Sequence, residues 1–289
     1  MPRFILLPAT GSPDDAPVFG AALEAARLFG AHLAFLHVRP DVHHHIASLG
    51  AADMGLGTRP DAALAAMEET ADAQEHAAAA AWRAFCDQQG IPLVEAPSAV
   101  QGISAEWLTE VGSQPAWLAA HGRAADLIVM GRRAEGRSVA LDVLETVLMA
   151  TGRPVLIASD KPPGPLADTV AIAWKDTPDA GSAVWAALPF IRVARRVIVF
   201  TVQEEPGSGD RSDRRVLRAL RWSNPKTSVQ ALKRDGRPPV EVLLRAAVAA
   251  GSTLLAMGCY GHGRLREAVF GGFTRAVLER APLPVLMAH

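Results

Sequence analysis

Ala125-Asp126-Leu127-Ile128-Val129-Met130-Gly131 is repeated in kind 127 residues later as Ser252-Thr253-Leu254-Leu255-Ala256-Met257-Gly258. Both are short apolar runs that stop at Met-Gly, the pattern of a strand covered on both faces. A second pair, Arg153-Pro154-Val155-Leu156-Ile157-Ala158-Ser159 and Leu283-Pro284-Val285-Leu286-Met287-Ala288-His289, is offset by 130 residues. A third, Thr10-Gly11-Ser12-Pro13-Asp14 and Lys175-Asp176-Thr177-Pro178-Asp179, is offset by 165. The chain is therefore an internal duplication.

The changing offset locates the differences between the copies. Its fall from 165 to 127 requires an insertion in the first half, between Arg39 and Ala81. That stretch (about 40–80) holds His43-His44-His45, a Gly-rich piece from Gly50 to Gly57 and an Ala-rich helix. Residues 43–60 lack periodicity and are expected to be mobile or to form a lid. The rise to 130 removes three residues from the first half between Gly131 and Arg153. Ser159-Asp160-Lys161-Pro162-Pro163-Gly164-Pro165 cannot continue a strand or helix and reads as a linker. The expected division is domain 1–159, linker 160–168 and domain 169–289.

A length of 289 residues suits two domains, and 49% apolar residues suffice for two cores. The net charge of −1, from 29 basic and 30 acidic residues, points to neither nucleic acid nor an anionic membrane surface. Cys86 and Cys259 form no pair of close spacing, which excludes a disulfide framework or zinc knuckle and fits a reducing compartment. Met1–Pro8 is expected to begin as a strand rather than as a secretory leader. No apolar run approaches the roughly 20 residues of a membrane span. The expected location is the cytoplasm.

Each half reads as five strands alternating with helices. Strands are expected near Phe4–Pro8, Leu33–Val38, Leu93–Ala96, Leu127–Met130 and Val155–Ala158, then near Val170–Trp174, Val197–Val202, Ser228–Leu232, Thr253–Met257 and Val285–Ala288. Helices include Ala180–Phe190 and Val240–Ala250. Parallel strands with right-handed crossovers give an α/β fold of two tandem, open, doubly wound five-stranded sheets. Such sheets bind ligands beyond the strand C-termini at the topological switch point, so the loops after the first and fourth strands are read for chemistry. The last strand of each half leaves an apolar edge, and the halves are expected to pack as a pseudo-dimer. A homodimer is the other assembly left open.

After the fourth strand of the second half come Met257-Gly258-Cys259-Tyr260-Gly261-His262-Gly263-Arg264, and then Gly271-Gly272-Phe273-Thr274. Glycines let backbone amides approach phosphate oxygens, and a helix N-terminus adds unpaired N–H donors with a partial positive charge. Arg264 and Arg266 could add charge, and Thr274 a hydroxyl.

This loop resembles the universal stress protein pattern of glycine, two residues, glycine, nine residues, glycine, mapped here onto Gly258, Gly261 and Gly271. The ending Ala281-Pro282-Leu283-Pro284-Val285-Leu286-Met287 is similar to that family's closing strand, and the resemblance covers both halves. It implies a Rossmann-like sheet of the adenine nucleotide alpha hydrolase type with strand order 3-2-1-4-5, and a site for ATP or AMP, with Mg²⁺ accompanying ATP. The ribose and phosphates would meet Gly258, Gly261, His262, Gly263, Arg264, Gly271, Gly272, Phe273 and Thr274. The adenosine would lie by Ala173 and Val202, at the ends of the first and second strands, and Trp174, Lys175, Asp176 and Met257 complete the site. Gly272 follows Gly271 where the family carries Ser or Thr, and Lys175 stands where it carries an acidic residue.

The first half departs further. Gly131-Arg132-Arg133-Ala134-Glu135-Gly136-Arg137 lacks the second and third glycines, Asp142 would oppose a phosphate, and Ala9-Thr10-Gly11 lacks the acidic residue. This half is expected to be a structural partner that binds no ATP, with Arg132, Arg133 and Arg137 in a solvated loop. His43-His44-His45 is expected to be a polar loop rather than a metal site. Cys259 is expected to be partly exposed but not catalytic, and Trp82, Trp107, Trp117 and Trp185 to be helical core residues. No nucleophile elbow or phosphate loop of the Walker type is present. The expectation is a regulatory or protective stress protein without enzymatic activity. The alternatives are a ligand-free interaction scaffold and an ATP-using adenylating enzyme, although the Ser-Gly-Gly-x-Asp-Ser and His-x-Gly-His signatures of the latter are missing.

Overall fold

The computed structural model describes residues 1–43, 60–94, 102–132, 141–160, 164–203, 212–259 and 271–289. The first half runs β1 (Phe4–Pro8), α1 (Asp15–Phe29), β2 (His32–Arg39), α2 (Pro60–Gln89), β3 (Ser104–Val111), α3 (Gln114–Gly122), β4 (Leu127–Met130), α4 (Leu141–Thr151) and β5 (Val155–Ile157). The second runs β6 (Thr169–Ala173), α5 (Pro178–Val193), β7 (Arg196–Gln203), α6 (Ser212–Leu220), β8 (Thr227–Lys233), α7 (Pro239–Ala249), β9 (Leu254–Gly258), α8 (Gly272–Arg280) and β10 (Val285–Ala288).

All ten strands form one sheet in the order β3-β2-β1-β4-β5-β10-β9-β6-β7-β8. Each half therefore has the expected 3-2-1-4-5 order, with parallel neighbours throughout. The halves meet where β5 and β10 pair antiparallel, Val155 against Met287 and Ile157 against Val285. The two apolar edges satisfy each other's backbone groups, which removes both from solvent.

Alternating strand residues feed two cores. On one face Ile5, Leu7, Val170 and Ile172 pack under α1, α2, α5 and α6, and on the other Leu6, Ile128, Ala171 and Leu255 pack under α3, α4, α7 and α8. Phe29 and Phe190 cross the seam between halves on the first face, edge to face with centroids 5.0 Å apart.

Three expectations require correction. The third strand is Ser104–Val111, not 93–96; Leu93 makes only an isolated bridge to Ala105. As the outermost strand, β3 keeps Glu106, Thr109 and Glu110 partly in solvent, so it lacks the apolar run of a central strand. Trp107 lies on this strand rather than on a helix, and Trp185 on α5 is 74% exposed rather than core. Trp82 is buried and Trp117 half-buried. The insertion's Ala-rich helix extends to Gln89, a span of roughly 45 Å at 1.5 Å per residue. His43 lies 3.1 Å from Glu68; His44, His45 and most of the expected lid are outside the described residues.

Candidate functional site

In the second half β6 lies between β7 and β9, with Ala173 in register with both Phe200 and Met257. The chain beyond β6 and β9 thus emerges at the switch point, and the two loops touch. A Cβ on Gly258 would lie 2.5 Å from the backbone carbon of Asp179, at the start of α5. Gly258 is therefore required by the close approach of strand and helix. Thr177 caps α5 by accepting a hydrogen bond from the Ala180 N–H at 3.3 Å.

The residues expected around adenosine divide between the two faces. Ala173 and Val202 are partly exposed and face the core under α7 and α8, where Met257 is fully buried. Trp174 turns to the other face, where its indole N–H donates to the Ser212 hydroxyl at 3.1 Å and so ties the end of β6 to α6. Asp176 forms an exposed ion pair with Arg215 at 2.6 Å. The Lys175 carbonyl accepts from the Thr177 N–H. Spacing between residues 174 and 212 held no signal for that indole contact.

Because α8 connects two parallel strands, its N-terminus lies at the same edge of the sheet as their C-terminal ends. Gly271 caps it without any side-chain hydrogen bond, so the first-turn amides have no acceptor from the cap. Among the described residues, no atom lies within 4 Å of where a Cβ would stand on Gly271 or Gly272. Phe273 is 37% exposed, whereas Thr274 is buried. Gly261, His262, Gly263 and Arg264 lie outside the described residues.

The corresponding region of the first half is filled. Asp15, at the start of α1, accepts from the N–H groups of Thr10 and Gly11, both at 2.8 Å, and from the Thr10 hydroxyl at 2.8 Å. Burial pushes its carboxyl up from the ordinary range, and these hydrogen bonds oppose the shift. Above this loop sits α2. Gly11 has φ +77°, and a Cβ there would stand 2.6 Å from the Gln74 carbonyl oxygen and 2.9 Å from the Ala78 nitrogen. His37, the repeat counterpart of Val202, is buried with Nδ1 2.8 Å from the Ala9 carbonyl oxygen and stacks on Trp107.

Arg132 also departs from its expected solvated loop. It is partly buried and donates across the seam to the carbonyl oxygens of Ala281, at the end of α8, and of Leu283 at 3.1 Å. Burial lowers its pKa, opposed by Asp160. Cys259, its repeat counterpart, is fully buried rather than partly exposed and donates to the Ala288 carbonyl. Desolvation pushes that thiol up to about 12, and Cys86 up to about 11. Neither is a thiolate nucleophile near neutral pH. Among the described residues no group of three His, Cys, Asp or Glu side chains could hold a metal ion, and no helix is long and apolar enough to cross a membrane.

The Universal stress protein family model matches residues 1–159 and again 170–289, so the chain belongs to this family and carries two of its domains in tandem. A universal stress protein from Archaeoglobus fulgidus superposes with a TM-score of 0.68 at 20% identity, covering 99% of this chain and 95% of the other. One from Pseudomonas aeruginosa, described as putative, gives 0.56 at 14%, with 99% and 93% covered. A functionally unknown protein from the same species gives 0.52 at 14%, with 99% and 92% covered. These likenesses extend along both halves and establish the fold. No curated protein matches the sequence.

Proposed function

We propose that this tandem universal stress protein is a non-enzymatic regulatory or protective protein of the cytoplasm that binds ATP or AMP in its second half only. The observation that carries the reading is the contrast between the two switch points. In the first, α2 packs onto Gly11 and Asp15 already takes the free loop amides. In the second, α8 begins at two glycines with no described atom beside them and no side-chain cap among the described residues. Amides left without an acceptor at a helix N-terminus are donors already oriented for a phosphate. Ala173 and Val202 offer small, partly exposed apolar surface for a base nearby, and the family resemblance assigns residues 261–264, outside the described residues, to the phosphates. Mg²⁺ would arrive with ATP, held mainly by phosphate oxygens and water.

Calorimetric titration with ATP, ADP and AMP tests this, with mass spectrometry of the denatured purified protein for carried-over nucleotide. Gly271→Val places a side chain where phosphate would approach. Loss of one charge-assisted hydrogen bond costs about 1.5–3 kcal/mol, or roughly tenfold to hundredfold in affinity. Leu141→Val, at the matching helix start in the first half, is expected to leave binding unchanged. No heat from any of the three nucleotides at millimolar concentration would replace this reading with that of a ligand-free scaffold.

A further inference from the structure

The two ends of the ten-stranded sheet are equivalent positions of the duplicated fold, yet they carry opposite charge. The first end consists of α2 and β3. Its described stretches, 60–94 and 102–111, hold eight acidic residues against the single Arg83. The other end consists of α6, β8 and the turns beside them. Residues 212–237 hold eight lysines and arginines against Asp213 and Asp235. A chain whose net charge is −1 is thus strongly polarised along its sheet.

The basic end is also locally built. Asn224 is buried and its amide donates to the carbonyl oxygens of Ile191 at 2.8 Å and Ala194 at 2.7 Å, while its side-chain oxygen accepts from the Lys226 N–H. These bonds hold the end of α5 against the turn after α6, so that the exposed Arg192, Arg195, Arg221 and Lys226 belong to one local surface with Trp222, Arg195 pairing with Asp168 at 2.9 Å. Trp222 is 90% exposed. An indole left almost wholly in water amid cations has the composition of an interface centre, where Trp and Arg carry most binding energy. At the acidic end Glu69 and Asp87 stand exposed on α2, Asp72 and Glu75 pair with Arg39 of β2, and Leu93 and Val111 expose apolar surface beside β3.

We propose that this protein associates head to tail with further copies of itself, the basic end of one chain seating on the acidic end of the next. The partner is argued from charge: the complement to the Arg-rich surface stands at the other end of the same chain. Like ends repel, so neither end favours an isologous dimer. A heterologous contact leaves one free end of each kind at every step, and assembly continues unless it closes into a ring. The proposal is independent of nucleotide binding.

Sedimentation equilibrium of the full chain tests it. Exposed charges are screened beyond about 10 Å at 0.1 M salt. The average mass is therefore expected to rise above 30.5 kDa with protein concentration at low salt and to return to that value near 0.5 M salt. Trp222→Ala removes only an exposed side chain and is expected to weaken association about tenfold or more. The double variants Arg192→Glu/Arg221→Glu and Glu69→Lys/Asp87→Lys are each expected to stay at chain mass, with circular dichroism confirming their fold. Mixed together, they still possess one intact end of each kind and should associate above chain mass. A wild-type chain that stays at 30.5 kDa at low salt overturns the proposal. So does a mixture of the double variants that fails to associate. If labelled single-stranded RNA binds the basic end and no self-association occurs, the surface belongs to a nucleic-acid partner instead.

Discussion

Leu156 of β5 stands opposite Leu286 of β10, which is its own counterpart in the second repeat. A residue paired with its own equivalent marks a twofold axis, here perpendicular to the sheet and running between these two leucines. The seam is therefore isologous within a single chain. Both side chains are buried in the same core.

Truncating either leucine is expected to destabilise the protein by about 2–5 kcal/mol, because neighbours on both sides of the seam hold the cavity open. As the two residues touch, the cost of Leu156→Ala with Leu286→Ala should fall short of or exceed the sum by roughly 0.5–3 kcal/mol. Urea unfolding of both single variants and the double variant measures this coupling. Strict additivity would argue that the halves fold without sensing one another. Arg132→Met keeps the aliphatic stem but leaves the Ala281 and Leu283 carbonyls without these donors, at a cost of about 1–3 kcal/mol.

The glycines of the second switch point should respond differently to a methyl group. At Gly258 a Cβ would press on the Asp179 backbone, so Gly258→Ala should lower stability by about 1–3 kcal/mol. At Gly272 no described residue crowds the site and the residue is helical, so Gly272→Ala should be neutral or stabilise by up to about 1 kcal/mol. Thermal melts of both variants are the check. Equal destabilisation would mean that α8 begins elsewhere.

Asp15 carries a pH signature. Its folded pKa lies above its unfolded value of 3.8, so between those two values the native state binds more protons than the unfolded state. Stability from this group is therefore highest below the unfolded value and falls as pH rises through that window. Asp15→Asn keeps an acceptor for Thr10 and Gly11, and should flatten that part of the stability profile while preserving the fold. Asp15→Ala leaves two amides unpaired and should cost about 1–3 kcal/mol at neutral pH. Denaturant midpoints across pH 3–7 separate the variants.

Both thiols should be silent towards a disulfide reagent at pH 8. The thiolate fraction is roughly 10⁻³ for Cys86 and 10⁻⁴ for Cys259, and both are fully buried. Absorbance from released reagent should appear only after denaturant is added, and then for two thiols. Fast labelling of the native protein would contradict the burial of Cys259 under β10.

The architecture was legible where strands are central. Leu127–Met130 and Val285–Ala288 are covered on both faces, and their unbroken apolar runs announced them at their full lengths. Ser104–Val111 escaped because, at the sheet edge, only Ser104 and Ala105 are fully buried, which leaves no apolar run to read. Trp185 was misread because helical spacing marks a face without saying whether that face meets the sheet. At the site, glycine spacing identified the right loop but not the reason for each glycine. Gly258 is small for the sake of α5, whereas no described residue crowds Gly271 or Gly272. Arg132 was invisible to pattern because its partners come from the opposite half, and Asp15 because its partners are the backbone amides and hydroxyl of the loop just before it, which no residue spacing marks.

The antiparallel seam between β5 and β10 also fixes stoichiometry. In a dimer of identical chains any added helix must appear on both sides of the axis. Here α2 runs 30 residues and covers Gly11 in one half, while its counterpart α6 before β8 runs nine residues in the other. A covalent tether keeps two unlike halves matched one to one at any dilution, because their pairing is intramolecular. Neither half can exchange with a foreign subunit through that strand edge while its partner occupies it. The duplicated chain is thus free to let one copy change without ever producing a mismatched or doubly altered pair.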